Sequence, residues 1–224
     1  MIDRNTSSNE FYWIPIDLFV SSNLKAYAGV SLENKTWLGS EPQKIFINSI
    51  NDWFIVNYKQ TGFYRVNYDN SSWHALIDKL NSESFEDIHV LNRAQIIDDL
   101  FNLARANYVE YDLLIKALAY LGSETNHLPW KAFFNGLSYI YKRFELPKDL
   151  NKEKNFQEDL NKYVLKLLSK TYDNVGFSDR DDDNYLNRLH REMILQWACK
   201  LNKTECIQKS VDLFATWRKN SSER

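Results

Sequence analysis

The sequence predicts a mixed fold, in which a partial β-sandwich is followed by an all-α superhelical array of antiparallel helices, similar to HEAT or armadillo arrays. Three observations predict it. Apolar residues alternate with period two before residue 69, they recur with the helical period of 3.6 after residue 71, and the predicted helices are joined by short connections. We therefore predict a partial sandwich domain over residues 1–69 and a helical domain over residues 70–224.

The first predicted strand lies in FYWIPIDLFV, residues 11–20, where alternate apolar side chains share one face. That face comprises Tyr12, Ile14, Ile16, Leu18 and Val20. Pro15 within this run favours an edge position or a bulge, because proline cannot donate a hydrogen bond to a neighbouring strand.

Two further strand pairs are predicted before the helices. One lies in residues 26–39, with its turn near residues 33–34. The other is a hairpin of residues 53–58 and 63–68, with Gly62 supplying the turn. Both faces of these strands carry apolar residues, so the sheet needs a partner layer, and we expect earlier strands of the sandwich to be absent.

Helical periodicity predicts seven helices from residue 71 onward. Start signals agree with it: Ser71 or Ser72 can cap the first helix, Pro129 suits a first turn, and residues 181–183 place carboxylates before another helix. No strict repeat of 34 or 40 residues is present. The predicted helices span about residues 71–81, 88–106, 110–121, 128–145, 152–173, 183–201 and 204–219.

The last predicted helix carries an apolar stripe at Ile207, Val211 and Phe214, directly before the end of the chain. A solenoid normally ends in a polar cap. Because the sandwich also begins abruptly at its first strand, we expect both ends to be cut from something larger.

Composition excludes several classes of function. The closest of the six glycines are ten residues apart, which rules out a dinucleotide fingerprint, a Walker loop and a nucleophile elbow. The four histidines are never closer than 15 residues, so no i,i+4 zinc pair exists on a helix. A net charge of −2 gives no bulk attraction to nucleic acid or to an anionic membrane.

The two cysteines, Cys199 and Cys206, leave two interpretations open, a local disulfide or two buried thiols. Their predicted positions on either side of one helix–helix turn favour the disulfide. Five N-x-S/T sequons, against about 2.6 expected by chance, favour a secretory route. No signal peptide or transmembrane stretch is visible, so a signal would lie outside this chain. The candidate glycosylation sites are Asn5, Asn34, Asn70, Asn202 and Asn220.

Clusters of carboxylates could in principle carry chemistry. Residues 179–183 (DRDDD) lack the register of an EF-hand calcium loop, which favours acidic residues at a helix start. Asp98 and Asp99 would diverge by about 100° on a helix, so an acid–base dyad is disfavoured. We expect these carboxylates, and residues 86–87, to lie on a solvated face or to pair with an arginine such as Arg93 or Arg105.

Arg65 and its neighbours allow a functional and a structural interpretation. A lone arginine among aromatic residues is usually a structural ion pair or a stacked guanidinium, although it could bind a substrate carboxylate. Tyr64 and Tyr68 could stabilise an oxyanion, but packing is favoured. One predicted helix is aromatic on all sides, which favours burial between layers over a ligand groove. Its aromatic residues are Trp130, Phe133, Phe134, Tyr139 and Tyr141.

Five segments, in the same order along the chain, resemble landmarks of the aminopeptidase N family of zinc metallopeptidases. Each landmark alone is modest evidence, and their order makes the resemblance specific across about residues 11–218. The segments are WIPI at 13–16, GFYRVNYD at 62–69, the NRAQ-containing helix at 89–105, ET with LPWKA at 124–132, and WAC through the second cysteine at 197–206.

The resemblance implies a function for a longer protein. The family removes single amino acids from peptide N-termini, using zinc held by an HExxH helix and a downstream glutamate. A GAMEN-type loop binds the substrate amine, and a tyrosine stabilises the tetrahedral intermediate. Neither HExxH nor GAMEN occurs in this chain, so no catalytic, cofactor-binding or metal-ligating residue can be assigned to it.

In the family, the part that this chain resembles is the end of the sandwich domain and the first half of the helical C-terminal domain, which covers the active-site cleft. The resemblance further implies a Cys199–Cys206 disulfide, a peptide substrate bound by the missing catalytic domain, and a location that is secreted or on the outer face of the plasma membrane. It also allows a homodimer. The alternative is a short, non-catalytic relative that acts as a binding or interaction module.

Overall fold

The chain forms two compact units in a computed structural model, one of residues 1–118 and one of residues 119–224. The structure describes residues 13–21, 36–39, 53–144 and 151–221. The domain boundary predicted between residues 69 and 70 lies within the first unit and remains a prediction. The turn predicted near residues 33–34 and Tyr12 of the first strand lie outside the described residues.

Short strands pair at the start of the first unit, and their bounds are β1 Ile14–Ile16, β2 Leu18–Val20, β3 Thr36–Leu38 and β4 Phe54–Val56. β1 pairs antiparallel with β3, and β2 pairs antiparallel with β4. The run predicted as one strand is therefore divided at Asp17, and its halves join different two-stranded sheets. Asp17 accepts hydrogen bonds from the backbone of Tyr58 and the hydroxyl of Thr61, which turns its side chain toward the next loop.

The predicted hairpin of residues 53–58 and 63–68 is wrong. β4 pairs with β2 instead, and residues 61–69 have no strand or helix structure. Side chains bind this segment in place of a strand partner: the Tyr68 hydroxyl accepts from the Val56 N–H of β4, and an Asp99 carboxylate oxygen accepts from the Val66 N–H. The Gly62 backbone is bound by the side chain of Asn57.

Three helices complete the first unit, α1 Asn70–Leu80, α2 Val90–Arg105 and α3 Tyr111–Leu118. The cap of α1 is Asp69 rather than Ser71 or Ser72, because the Asp69 carboxylate accepts from the Ser72 backbone N–H and from both serine hydroxyls. The apolar core of these helices is almost wholly shielded from solvent. It includes Trp73, Leu76, Leu80, Ile97 and Leu100.

The second unit contains α4 His127–Phe144, α5 Asn151–Val175, α6 Tyr185–Lys200 and α7 Thr204–Ser221. α6 packs against α4, α5 and α7. Four of the five aromatic residues noted on α4 are buried, and Phe134 stacks on Trp197 of α6 with ring centroids 4.8 Å apart. The part of the chain that the structure describes thus contains the seven predicted helices, and none of them is long and apolar enough to cross a membrane.

Candidate functional site

A buried polar network around Asn92 joins α2 to the loop that follows β4. Asn92 is fully buried, and its side-chain oxygen accepts from the Lys59 backbone N–H at 2.8 Å. Its amide nitrogen donates to the Asn57 carbonyl at 3.0 Å and to the Gln95 side chain at 2.8 Å. These bonds hold Asn57, Lys59 and Gln60 in left-handed backbone conformations, which non-glycine residues rarely adopt without such support.

Gly62 closes the same loop, for a different reason from the one predicted. It is not left-handed. Its N–H and carbonyl both bond the side chain of Asn57, at 2.8 and 2.9 Å. A Cβ at this position would lie 2.3 Å from a ring carbon of Tyr64, so only glycine lets the aromatic ring approach.

Arg65 pairs with both carboxylates that were predicted to diverge. Its guanidinium lies 2.5 Å from Asp98 and 3.1 Å from Asp99. These carboxylates thus pair with an arginine, as one of the two predicted alternatives allowed, and the arginine is Arg65, which the prediction did not name. Arg93 donates to the Ile88 carbonyl at 2.7 Å. The positive charge of Arg65 is already paired with two carboxylates. This favours the structural interpretation of Arg65 over the binding of a substrate carboxylate.

Asp99 is the buried member of this cluster. One of its oxygens accepts from the Val66 N–H at 3.1 Å, and the other faces Arg65. Burial raises the pKa of Asp99 to about 6, and the Val66 N–H and the Arg65 charge oppose that rise. This carboxyl therefore titrates closer to neutrality than an ordinary aspartate.

A cleft of about 290 Å³ borders the cluster and is lined in part by Gln60, Phe63, Tyr64 and Gln95. The Phe63 ring is fully exposed, and the Tyr64 hydroxyl is buried without a hydrogen-bond partner. Burial, with the nearby charge of Asp17, raises the pKa of Tyr64 to about 12, so it remains a neutral phenol. Tyr68 accepts from a backbone N–H and packs edge-on against Trp73, which supports the packing interpretation.

Glu124 forms a comparable junction in the second unit. It is buried, and its carboxylate accepts from the backbone N–H groups of Thr125 and Asn126. Its carbonyl accepts from the Trp130 indole at 2.9 Å and from the Thr171 hydroxyl at 2.6 Å. The ET and PW residues singled out in the sequence thus tie the start of α4 to α5.

The acidic run at residues 179–183 forms ion pairs with an arginine and does not itself cap α6. Asp183 and Asp179 lie 2.5 and 2.9 Å from the buried guanidinium of Arg191. The cap of α6 is Asn184, whose side chain accepts from the Asn187 N–H. The bond to Arg191 lowers the pKa of Asp183 to about 2. The run lies directly before α6, as predicted, and its ion pairs with Arg191 are an additional role that the sequence did not indicate.

Two histidines meet in a way that the sequence did not indicate. His127 at the start of α4 and His190 on α6 are 63 residues apart, yet their ring centroids lie 5.6 Å apart. Sequence spacing can find histidines that share a helix face but not pairs that packing brings together, so no signal was available. Within the described residues, the structure shows no group of three or more histidine, cysteine or acidic side chains that could hold a metal ion.

The structure joins Cys199 and Cys206 by a disulfide across the turn between α6 and α7. Three sequon asparagines are exposed: Asn70 begins α1, Asn202 lies in the α6–α7 turn, and Asn220 lies in α7. The other two, Asn5 and Asn34, lie outside the described residues.

Comparison with known proteins finds one family model, described as the ERAP1-like C-terminal domain, that matches residues 53–223. Aminopeptidase N of Plutella xylostella is 36% identical over 172 residues, which cover 77% of this chain and 17% of that protein. The human thyrotropin-releasing hormone-degrading ectoenzyme is 32% identical over 227 residues, covering 97% of this chain and 20% of that protein. The chain spans about a fifth of the length of these curated relatives.

Proposed function

The chain belongs to the family of ERAP1-like C-terminal domains and is a C-terminal portion of the aminopeptidase N type, and from this we propose that it serves a zinc aminopeptidase as a non-catalytic cover. The whole enzyme would remove N-terminal amino acids from peptides. This portion would cover the active-site cleft and shape the substrate cavity. The observation that carries the proposal is the family match over residues 53–223, which includes both buried polar junctions.

The arrangement of elements supports this role. Antiparallel strand pairs fit the end of a β-sandwich over residues 1–69, and the packing of α5, α6 and α7 in order fits the first half of a helical superhelix over residues 70–224. The residues around Asn92 and around Glu124 are hydrogen-bonded to one another, which would keep the cover of the substrate cavity rigid. Zinc and its ligands would belong to the catalytic part of the longer protein, which would also bind the peptide.

Location and modification follow from the same proposal. A secreted protein, or one on the outer face of the plasma membrane, is supported by the disulfide and by the exposed sequons at Asn70, Asn202 and Asn220. Two relatives carry names that agree, a membrane alanyl aminopeptidase of Manduca sexta and the human ectoenzyme. A homodimer would be compatible with this arrangement.

One observation favours the alternative, a short relative that acts as an interaction module. α7 exposes Val211, Phe214 and Trp217 to more than half of their full extent. An apolar helix face of this kind suits a protein partner. In the longer enzyme the same face would be free for further helices to cover.

The two functions are separated by sequencing the transcript upstream of Met1 and by assaying the purified chain on aminoacyl substrates with added zinc. The enzyme proposal expects an in-frame HExxH upstream and no turnover by the 224-residue chain, since the catalytic groups would lie elsewhere. A stop codon close upstream would favour the interaction module. Zinc-dependent, chelator-sensitive hydrolysis by the chain, absent from a mock purification, would contradict both.

A further inference from the structure

The two histidines between α4 and α6 form a buried pair with unsatisfied nitrogens. His190 is 6% exposed, its two ring nitrogens are buried, and the Thr125 backbone is a poorly aligned acceptor for one of them. The Nδ1 atom of His127 is also buried without a partner, and the two rings meet edge to face. Buried polar atoms are nearly always well paired, so buried imidazole nitrogens with so few partners at one contact require an explanation.

The charged groups around the pair do not favour a proton on it. On α4, Lys131 lowers the pKa of His127, beyond the effect of its burial. On α6, Arg191 is bound by its own carboxylates and Glu192 is exposed. Before α4, the carboxylate of Glu124 bonds backbone N–H groups.

We propose that His127 and His190 form an acid-sensitive latch that holds α4 against α6 when both rings are neutral and releases it when they are protonated. Two neutral imidazoles can pack against each other, as they do here. Two imidazolium ions cannot, because each needs solvent or an acceptor and each repels the other. Release would widen the groove of about 340 Å³ between the two helices, which His127, Lys131 and Trp197 help to line.

The direction of the effect follows from the titration of His190. Burial, and then the neighbouring His127, lower its pKa to about 4, although the Thr125 backbone favours the charged form. The unfolded or released ring protonates near pH 6.5. Between these values the released state binds the proton more tightly, so acid shifts the equilibrium toward release, and neutral pH restores the latch.

Other contacts of α6 would keep the release local. The ion pair of Arg191 with Asp183 persists in mild acid, because the pKa of Asp183 is about 2. The disulfide keeps the end of α6 joined to the start of α7. Acid therefore loosens α4 from α6 and leaves the α6–α7 hairpin intact.

The latch is tested by hydrogen exchange on the full 224-residue chain at pH 6.5 and pH 4.5, corrected for intrinsic rates. We expect amide protection in α6 around residue 190 to fall by about 40-fold, the order set by the titration of one buried histidine between these pH values. His190→Phe keeps a ring that cannot be protonated and should remove most of this fall. His74→Phe, at an exposed position on α1, should leave it unchanged.

An equal fall in wild type and His190→Phe would overturn the latch. If His190→Phe does not fold, an NMR pH titration of the imidazole resonances of the wild-type protein still tests the proposal. Titration of His190 near pH 6.5, without accompanying shifts of the α4 and α6 amides, would contradict the proposal. Titration well below pH 6.5, with those shifts, would support it.

Discussion

Asn92 is the residue on which the loop after β4 depends. Its side chain replaces the hydrogen bonds that a regular strand would have supplied to Lys59 and Asn57. Because Asn92 is wholly buried, water cannot take over these bonds if the amide is removed. A single side chain thus binds two of the three left-handed residues of the loop, Asn57 and Lys59.

Replacement of Asn92 by alanine should lower the free energy of unfolding by about 3 kcal/mol, since a buried N–H and a buried carbonyl lose their partner. Urea denaturation followed by circular dichroism measures this loss. Asn135→Ala, at an exposed position on α4, is the matched control and should change stability by less than about 0.5 kcal/mol. Equal effects of the two substitutions would contradict the role given to the network.

At the scale of elements, the α6–α7 hairpin is held by both covalent and polar contacts. The disulfide spans a sequence separation of seven residues, with Cα atoms 5.3 Å apart. The α6 helix begins at an Asn184 cap and is anchored by Arg191 to the preceding loop. The disulfide therefore acts on a turn that is already well defined in the folded state.

The double variant Cys199→Ala with Cys206→Ala should be less stable by about 2 kcal/mol, because the crosslink restricts the unfolded chain. The comparison is a denaturation series with and without reductant. Reductant should lower the midpoint of the wild-type protein toward that of the variant and leave the variant unchanged. A wild-type midpoint that does not respond to reductant would show that the disulfide does not form or does not stabilise the protein.

At the scale of the whole molecule, the two units respond to pH in opposite directions. In residues 1–118, the raised pKa of Asp99 means that the folded state holds a proton more tightly than the unfolded state. In residues 119–224, the lowered pKa of His190 means that the unfolded state holds a proton more tightly than the folded state. Raising the pH from 4 to 6 therefore weakens the first unit and strengthens the second.

For the first unit, the free energy of unfolding should fall by about 2 kcal/mol between pH 4 and pH 6, because the carboxyl of Asp99 must ionise in a buried position as the pH rises. Hydrogen exchange of the α2 amides across this range measures it. Asp99→Asn should flatten the dependence, whereas Asp98→Asn removes a smaller cause of the raised pKa of Asp99 and should reduce the dependence only in part. A slope that survives Asp99→Asn would assign the titration to another group.

Local signals predicted most of the helical part of the fold. The helical period and the proline, serine and aspartate start signals located all seven helices to within a few residues, although the caps were Asp69 and Asn184 rather than the residues expected. The predicted hairpin is wrong because β4 pairs with β2 and the Val66 N–H is bound by Asp99, 33 residues away in the chain. Periodicity records which residues are apolar, and it carries no information about such partners.

By itself the sequence determined the family, the position of the helices and the absence of the HExxH and GAMEN motifs from this chain. These properties depend on residue identity and on spacings of a few residues, which can be read directly. Only the tertiary structure decided that Asp98 and Asp99 converge on Arg65, 33 and 34 residues away, and that His127 meets His190. Such contacts depend on how helices pack, because packing sets the direction and surroundings of each side chain.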